Sequence, residues 1–325
     1  MFEKDLKKLL SLTPILEVVK NKNQLYDISC DSTIGDALQI LNQHNILSIP
    51  VYGKPDHWIG AGGQSNAVFN DKLYIGILSI TDILLYLIDA NNVHNAIKAR
   101  VADAIGKTKE GTSLWVFPPG ESLITAMEPL SKKVHRALIL NHPRPSFCTL
   151  LSQFDIVKFI WDHMEILKNT PISPLSVREA LLSIDDYKSR PIACVSISPT
   201  TSLRDALEIM RNNEVVAVPV IDGNDQIVAT FSMSDWRGLT KESLFHVSEL
   251  NLMQFLSIQQ HGTLECPVRS PICCQENEPF LVGVSRMVVQ KVHRIWVVDS
   301  SSKLVDVLTL SDVLATICNF CVKMQ

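Results

Sequence analysis

The sequence predicts a mixed α/β protein of the α+β kind, in which one small unit occurs four times. Two observations predict it. A short apolar run ending in Ser or Thr, followed three residues later by Asp, recurs at near-regular intervals, and each run follows a helical segment and another apolar run. A chain of 325 residues with 46% hydrophobic residues is long enough to bury several such cores.

The repeat is clearest around its aspartates. The four runs read GILSITDILLYL, TLLSQFDIVKFI, ATFSMSDWRGL and DVLTLSDVLATI. Successive aspartates are 73, 80 and 77 residues apart, and they are Asp82, Asp155, Asp235 and Asp312. The chain therefore contains four copies of one unit, which we number one to four.

Copy three shows the predicted elements of the unit. Ser202 stands three residues before Asp205, a spacing that resembles a helix-capping box, and apolar residues then recur at helical spacing. The β-branched run VVAVPVI, the turn DGN and the run IVATF predict two strands. The unit is predicted to be strand, helix, strand, strand, helix, with the repeated Asp at the start of the last helix.

The equivalent segments of the other copies are STIGDALQILNQHNILSIPVY, ESLITAMEPLSKKVHRALIL and EPFLVGVSRMVVQKVHRIWVV. The tripeptide VHR occurs in two of them, in copies two and four, where the first helix leads into the second strand. It places two pairs of basic side chains at equivalent points: His135 with Arg136, and His293 with Arg294.

These units resemble the cystathionine-β-synthase (CBS) motif. Four such motifs in tandem form the γ regulatory subunit of AMP-activated and sucrose-non-fermenting-type protein kinases. The fourth copy, KVHRIWVVDSSSKLVDVLTLSDVLATI, follows the family pattern throughout, and HWIGAGG and LWVFPPGESLITAMEPLSKKVHRAL resemble a plant-type γ-like subgroup. The resemblance covers residues 26 to 317, roughly.

The resemblance implies that copies one and two, and copies three and four, pair as two Bateman modules within a disc whose clefts can hold adenine nucleotides. We expect an N-terminal capping helix or docking segment and a linker with one helix around SVREALLSI. The expected boundaries are 1-25 for the N-terminal segment, 26-163 for module one (CBS motifs at about 26-90 and 113-163), 164-190 for the linker and 191-325 for module two (CBS motifs at about 191-240 and 268-320).

The repeated residues have the chemistry of a nucleotide site. An Asp at a helix start can accept both hydroxyls of a ribose, which gives four candidates: Asp82, Asp155, Asp235 and Asp312. Arginine forks and neighbouring histidines suit phosphate, which gives His135, Arg136, His293 and Arg294. The hydroxyls before each Asp, with free N–H groups of the helix terminus, can also meet phosphate oxygens: Ser79, Ser152, Ser232 and Thr309.

Each of these residues also has a purely structural interpretation. An Asp in the first turn is a favourable cap and dipole partner without any sugar, and Arg and His before a strand can form a solvated rim. Copies one and three have Leu47 and Val216 where a basic residue could stand, and copy four has Asp306 six residues before its Asp, where copy one has Gly76. Nucleotide binding is therefore expected at one or two sites, or is lost with the fold retained.

Other features exclude whole classes of function. A formal charge of −4 without a long basic run argues against nucleic acid, and no apolar window reaches the length of a membrane span. The eight cysteines lack the paired CxxC motifs of a zinc site, and His261 with Cys266, Cys273 and Cys274 fits no metal template. We expect reduced thiols, no metal, no cofactor, and a cytoplasmic or also nuclear location.

No catalytic constellation is present in the sequence. GxSxG, HExxH and P-loop motifs are missing, and HWIGAGGQSNA lacks a Lys and departs from GxGxxG. Gly60-Ala61-Gly62-Gly63 is better explained as an insertion between two strands of copy one. The sequence thus favours a non-catalytic regulatory subunit that binds AMP, ADP or ATP and, by resemblance, a kinase catalytic α subunit and a scaffolding β subunit. The alternative is a CBS-fold interaction module that has lost nucleotide binding.

Overall fold

The structure is a computed structural model that describes residues 3–22, 25–53, 68–69, 71–90, 92–108, 114–132, 134–140, 148–185, 187, 194–241, 244, 250–263 and 267–322. The chain folds into two compact units, each assembled from segments that are distant in sequence. The even-copy unit contains copies two and four and consists of Met1–Leu25, Val116–Cys194 and Ile272–Gln325. The odd-copy unit contains copies one and three and consists of Tyr26–Trp115 and Val195–Pro271.

The first half of the chain carries copies one and two. Its elements are α1 (Glu3–Leu12), α2 (Ile15–Val19), β1 (Ile28–Ser29), α3 (Ile34–Gln43), β2 (Ser48–Gly53), β3 (Val68–Phe69), β4 (Lys72–Ser79), α4 (Ile80–Asp89), α5 (Val93–Ala96), α6 (Val101–Ala104), β5 (Val116–Phe117), α7 (Leu123–Ser131), β6 (Arg136–Leu140), β7 (Cys148–Ser152), α8 (Gln153–Asp162) and α9 (Met164–Lys168).

The second half carries copies three and four. Its elements are α10 (Val177–Leu182), α11 (Leu203–Asn212), β8 (Ala217–Ile221), β9 (Ile227–Ser232), a 3-10 turn (Met233–Trp236), α12 (Leu252–His261), β10 (Cys273–Gln275), α13 (Phe280–Gln290), β11 (Arg294–Val298), β12 (Leu304–Thr309) and α14 (Leu310–Val322). The predicted helix around SVREALLSI is confirmed as α10, which begins at the capping residue Ser176.

The predicted order of strand, helix, strand, strand, helix is confirmed. In copies one, two and four the first strand pairs in parallel with the second, and the second pairs with the third as an antiparallel hairpin. Copy one adds β3 at the edge of its sheet. Copy three departs from this order: its first strand is reduced to one parallel bridge, Ile197 to Val220, and among the described residues a 3-10 turn, Met233–Trp236, stands in place of the last helix.

One backbone hydrogen bond fixes the same register in all four copies. The first N–H of the last helix or turn donates to the carbonyl of the residue before the second strand, at 2.8 to 3.2 Å. The four carbonyls belong to Leu47, His135, Val216 and His293. The two VHR histidines therefore occupy equivalent positions, and the arginines that follow them align with Ser48 of copy one and Ala217 of copy three.

Each copy also holds a short helix from outside its own unit of sequence, which we call its companion helix. The capping residue of the companion helix forms an antiparallel bridge with the residue that caps the first helix of the copy. The bridges are Thr33 to Arg100 in copy one (α6), Pro14 to Ser122 in copy two (α2), Ser202 to Asn251 in copy three (α12) and Ser176 to Pro279 in copy four (α10).

Companion helices explain the composition of the two units. The companion of copy two precedes copy one in the chain, and the companion of copy four precedes copy three. Buried apolar residues on the face that packs against the copy hold each of these helices in place, such as Ile15 and Val19 of α2 and Val177 and Leu181 of α10. The expected boundaries and the pairing of consecutive copies into modules stay predictions.

Apolar runs in the second strand of each copy build the cores. Four consecutive residues are buried in each of β2, β6, β8 and β11, so both faces of these strands are covered. In the odd-copy unit, side chains of α3, α4 and α11 pack with those of the two hairpins and with the aromatic cluster of Phe231, Trp236 and Phe255. The insertion predicted at Gly60-Gly63 lies outside the described residues. Among the described helices, none has the length and apolar character to cross a membrane.

Gly53 at the end of β2 offers a test of packing in copy one. A methyl group at this position would lie far inside van der Waals distance of the Cys30 Sγ and 3.3 Å from the Ile75 Cδ1. We expect Gly53→Ala to lower the free energy of unfolding by about 1–3 kcal/mol in urea melts, because overpacking forces neighbours off their rotamers. Cys30→Ala in the same chain should recover part of that loss, and strict additivity of the two changes would contradict the packing argument.

Candidate functional site

The four repeated aspartates all close capping boxes at the junction of the third strand and the last helix. One carboxylate oxygen accepts from the backbone N–H and the hydroxyl of the preceding Ser or Thr. The distances lie between 2.5 and 3.0 Å, for Ser79–Asp82, Ser152–Asp155, Ser232–Asp235 and Thr309–Asp312. The structural role that the sequence allowed for these residues is present in every copy.

Asp82 of copy one is completely enclosed by protein. Its Oδ2 accepts from Ser79, and its Oδ1 accepts from the N–H and hydroxyl of Thr108 at 2.8 and 2.9 Å. The side chain has no solvent-exposed surface, and burial raises the pKa of the carboxyl although the four hydrogen bonds oppose that shift. A ribose could reach this carboxylate only if Thr108 moved away.

Asp155 of copy two is engaged by a residue from the N-terminal segment. The Nζ of Lys22 lies 2.6 Å from Asp155 Oδ2 and also donates to the carbonyl of Leu150 at 2.8 Å. Both side chains are partly exposed, with 33% of Lys22 and 20% of Asp155 open to solvent. The predicted ribose position of copy two is thus held by an internal cation.

Asp235 of copy three caps a 3-10 turn instead of an α-helix. Its Oδ2 accepts from Ser232, and burial raises the pKa of the carboxyl to about 6, with those hydrogen bonds and the charge of Arg269 acting in the opposite direction. Next to it, the indole Nε1 of Trp236 is buried and donates to no acceptor within the part of the chain that the structure describes. This copy therefore carries a carboxylate that is costly to ionise.

Asp312 of copy four is buried beside an arginine of its own copy. Burial lowers the pKa of Arg294 to about 10, and the charge of Asp312 opposes that shift. Only 2% of Asp312 is exposed. Arg294 therefore remains charged at neutral pH, and its charge is directed at the carboxylate that the sequence assigned to ribose.

The two VHR arginines stand in the same register. Arg136 pairs with Ser152 across the β6–β7 hairpin, and Arg294 pairs with Thr309 across β11–β12. Each arginine thus starts directly opposite the residue that caps the following helix, α8 or α14. Both side chains are partly buried. A cation, a hydroxyl and a helix N-terminus are adjacent in both copies, which is the combination that anion binding uses.

These two positions converge inside the even-copy unit. The Nε2 of Gln153, the first residue of α8, donates to the Ser311 hydroxyl in the first turn of α14 at 2.8 Å. The ring of Phe154 lies 6.1 Å from the ring of His293. The N-termini of α8 and α14 therefore meet, and each brings its histidine–arginine pair. We call this region the even-copy site.

The odd-copy unit lacks the equivalent cations. Ser48 pairs with Ser79 and Ala217 pairs with Ser232 at the positions that arginines fill in the even copies. A shallow depression of about 280 Å³ in this unit lies at the C-terminal end of α4, away from Asp82, and is lined by Tyr86, Ala90, Asn92, Asn95 and Ala96. The sequence-based expectation that copies one and three differ from copies two and four agrees with this register.

Asp306, a possible source of repulsion in copy four, is engaged within the protein. Its Oδ2 accepts from the hydroxyl of Tyr187, and its Oδ1 accepts from the Val307 N–H at 2.7 Å. It occupies the position of Gly76 in copy one, since Gly76 pairs with Val51 and Asp306 with the equivalent Val297. Hydrogen bonds from Tyr187 and Val307 therefore stabilise the negative charge of Asp306.

The thiols do not form a reactive or metal-binding group within the described ranges. No set of three or more His, Cys, Asp and Glu residues there is placed to hold a metal ion, and Cys266 lies outside those ranges. One CxxC spacing that sequence reasoning passed over, Cys318 to Cys321, lies in α14. Burial raises the pKa values of these thiols to about 12 and about 11, so both stay protonated at neutral pH.

Sequence reasoning also missed Lys22 and Thr108. Both donate to repeated aspartates from sequence separations of 133 and 26 residues, which no local pattern reveals. Capping-box spacing did mark two companion helices, with Arg100 and Asp103 at α6, which precedes Thr108, and Ser176 and Glu179 at α10. The helix that precedes Lys22, α2, begins after Pro14 without a side-chain cap.

The chain resembles known proteins over most of its length. The CBS domain family model matches residues 184–239 and 264–319, which contain copies three and four. Two Arabidopsis thaliana proteins described as SNF1-related protein kinase regulatory subunit gamma-like are similar: PV42b is 24% identical over 93% of this chain and 94% of its own length, and PV42a is 26% identical over 97% of both.

A solved structure shares the fold. Protein MJ1225 from Methanocaldococcus jannaschii, described as a candidate archaeal homologue of g-AMPK, superposes with a TM-score of 0.66 at 17% identity and covers 94% of this chain and 100% of its own. Residues 184–239 and 264–319 match the CBS domain, and the chain shares the fold of MJ1225. The predicted likeness to γ-like regulatory subunits of SNF1-related kinases is confirmed by the two plant relatives.

The pKa of Asp235 predicts a pH dependence of stability. Because its pKa rises from 3.8 to about 6 on folding, the folded chain binds more protons than the unfolded chain between about pH 4 and pH 6. The contribution of Asp235 to the free energy of unfolding should therefore fall as pH rises through that window, by up to about 3 kcal/mol. Urea melts of the native chain and Asp235→Asn from pH 4 to 7.5 measure the difference between them.

Asp222, in the turn of the same copy, provides a control of opposite sign. Backbone hydrogen bonds from Gln226 and Asn224 lower its pKa, so its contribution should be present at neutral pH and fall on acidification below about pH 4. A difference between native and Asp235→Asn proteins that is flat across pH 4 to 6 would contradict the assignment.

Proposed function

We propose that this chain is a non-catalytic regulatory subunit of a serine/threonine protein kinase that binds adenine nucleotides at the even-copy site. AMP, ADP and ATP are the expected ligands, and a catalytic α subunit and a scaffolding β subunit are the expected partners. The likeness to the γ-like regulatory subunits supports the kinase assignment. One observation supports the nucleotide assignment: the N-termini of α8 and α14 meet in one unit, and Arg136 and Arg294 each stand opposite the residue that caps one of these helices.

The charges of this site suit the phosphate end of a nucleotide. Arg136 and Arg294 each present five N–H donors in a planar fork, and His135 and His293 add donors beside them. A charge-assisted hydrogen bond contributes about 1.5–3 kcal/mol net, whereas micromolar affinity requires about 8 kcal/mol. The arginines alone do not supply that total, so contacts to the base and ribose must add to them.

Sensing follows from the difference in phosphate number. AMP, ADP and ATP bring successively more negative charge to the same group of cations, so their affinities for a given arrangement of that group differ. A ligand shifts an equilibrium between two arrangements only by the difference in its affinity for them. Exchange of AMP for ATP would thereby change the surface that a kinase subunit meets.

The alternative function is an interaction module without nucleotide. The capping geometry favours it, because the described aspartates and hydroxyls already satisfy one another and Asp82 has no exposed surface. The two functions differ in ligand-induced stabilisation. Nucleotide at a hundred times its dissociation constant should stabilise the sensor by about 2.7 kcal/mol, whereas the melting temperature of a pure interaction module should not change with AMP, ADP or ATP.

Removal of the two VHR arginines tests the proposal directly. We expect Arg136→Ala with Arg294→Ala to weaken AMP and ATP binding at least about a hundredfold in isothermal titration, because two charge-assisted contacts are lost. ATP should lose more than AMP, since more of its charge meets these cations. Arg136→Ala alone leaves Asp312 with its neighbour Arg294. This variant should show an intermediate loss of affinity for AMP and ATP.

A matched control removes the same charge elsewhere. Arg178 and Arg204 are exposed arginines that pair with Glu276 and Glu208 on the surface. Arg178→Ala with Arg204→Ala should bind both nucleotides like the native chain. Equal affinities in all three proteins would remove the VHR arginines from the mechanism.

A further inference from the structure

Two copies place an internal donor on the repeated aspartate. Thr108 and Lys22 each stand eight residues after the capping residue of a companion helix, Arg100 or Pro14. Thr108 donates to Oδ1 of Asp82 in copy one, whereas Lys22 donates to Oδ2 of Asp155 in copy two, the oxygen that also accepts from Ser152. In both copies the segment after the companion helix therefore reaches the repeated aspartate.

The two donors differ in how easily a ligand could replace them. Thr108 directs two neutral donors to a carboxylate without exposed surface, and this contact closes copy one. Lys22 directs one charged amine to a carboxylate that is still partly exposed. Exposed and partly exposed ion pairs contribute little to stability, so the contact in copy two can be exchanged for another at small cost.

The position of Lys22 is nevertheless set in advance. The backbone N–H groups of Ile15 and Leu16 donate to Glu121 and Pro119 at 2.8 and 2.9 Å and fix the start of α2 on copy two. Val19 at its end is completely buried, and the Lys22 N–H donates back to the Val19 carbonyl at 3.0 Å. The backbone at Lys22 is therefore already ordered, and only the side chain has to be positioned when it reaches Asp155.

Copy four treats the equivalent segment differently. After its companion helix α10 comes Tyr187, whose hydroxyl donates to Asp306. Asp312 has the charge of Arg294 beside it instead. Within the even-copy site, the N-terminal segment therefore governs copy two specifically.

We infer that Lys22 is an intramolecular occupant of the ribose position in copy two, and that a nucleotide enters this position only by displacing it. The inference rests on the proposed function and adds a regulation to the same site. Both the ribose hydroxyls and the lysine amine are donors that use Asp155 as acceptor, so they compete. Nucleotide binding in copy two is thus coupled to release of the Lys22 side chain from Asp155.

Affinity measurements test the competition. Lys22→Ala should bind AMP about fivefold more tightly than the native chain, since no ion pair has to be broken. Lys20→Ala is the matched control: Lys20 lies in the same segment, is exposed and pairs only with nearby Glu17 among the described residues. It should bind AMP like the native chain. Asp155→Asn keeps an acceptor for the cap. In a chain that carries Asp155→Asn, the further change Lys22→Ala should no longer alter the affinity for AMP.

Chemical labelling tests the contact without relying on affinity. In the native chain, acetylation by an amine-reactive ester should be slower at Lys22 than at Lys20, because the Lys22 amine is held by Asp155 and Leu150. Saturating AMP should raise the rate at Lys22 and leave Lys20 unchanged. Peptide mass spectrometry separates the two sites.

The outcomes distinguish the two proposals. If the native chain and Lys22→Ala bind AMP equally, or Lys22→Ala binds it more weakly, the occupant role of Lys22 is wrong while the nucleotide site stands. If neither protein nor any arginine variant binds AMP or ATP, the proposed function fails and the inference fails with it. Tighter binding by Lys22→Ala together with AMP-induced labelling of Lys22 supports both.

Discussion

The structure depends on one hydrogen-bonded junction that recurs in every copy. A strand ends at a Ser or Thr, and the Asp three residues later accepts from both its N–H and its hydroxyl. This box satisfies backbone donors that a helix start leaves unpaired and fixes the angle at which the helix leaves the sheet. The strand register before it, and hence the position of the VHR pairs, follows from the same junction.

The same junction limits the chemistry of the site. The carboxylate oxygen that caps each helix already accepts two hydrogen bonds from its own copy. The copies differ in what else the carboxylate meets: two donors of Thr108 in copy one, the amine of Lys22 in copy two, and the charges of Arg269 in copy three and of Arg294 in copy four. Four similar sequences thus produce four chemically different positions, and only the even copies combine theirs with adjacent arginines.

Much of the architecture could be predicted from the sequence because its causes are local. Capping spacing, helical periodicity and β-branched runs identified the strand–helix–strand–strand–helix order, and the VHR repeat identified equivalent positions that the backbone register confirms. The grouping of copies into units could not be predicted, because companion helices pack on copies far away in the chain. Lys22 was missed for the same reason: its contact with Asp155 spans 133 residues.

The exchange of companion helices also bears on how the chain is made. The apolar face of α2, with Ile15 and Val19, packs on β7 and α8, which end at Asp162. At about 5–20 residues per second, a ribosome needs on the order of ten seconds to supply that surface. During this interval the newly made helix lacks this packing surface and is open to chaperones or to a neighbouring nascent chain. The position of α2 ahead of copy one thereby sets a waiting time for the folding of the even-copy unit.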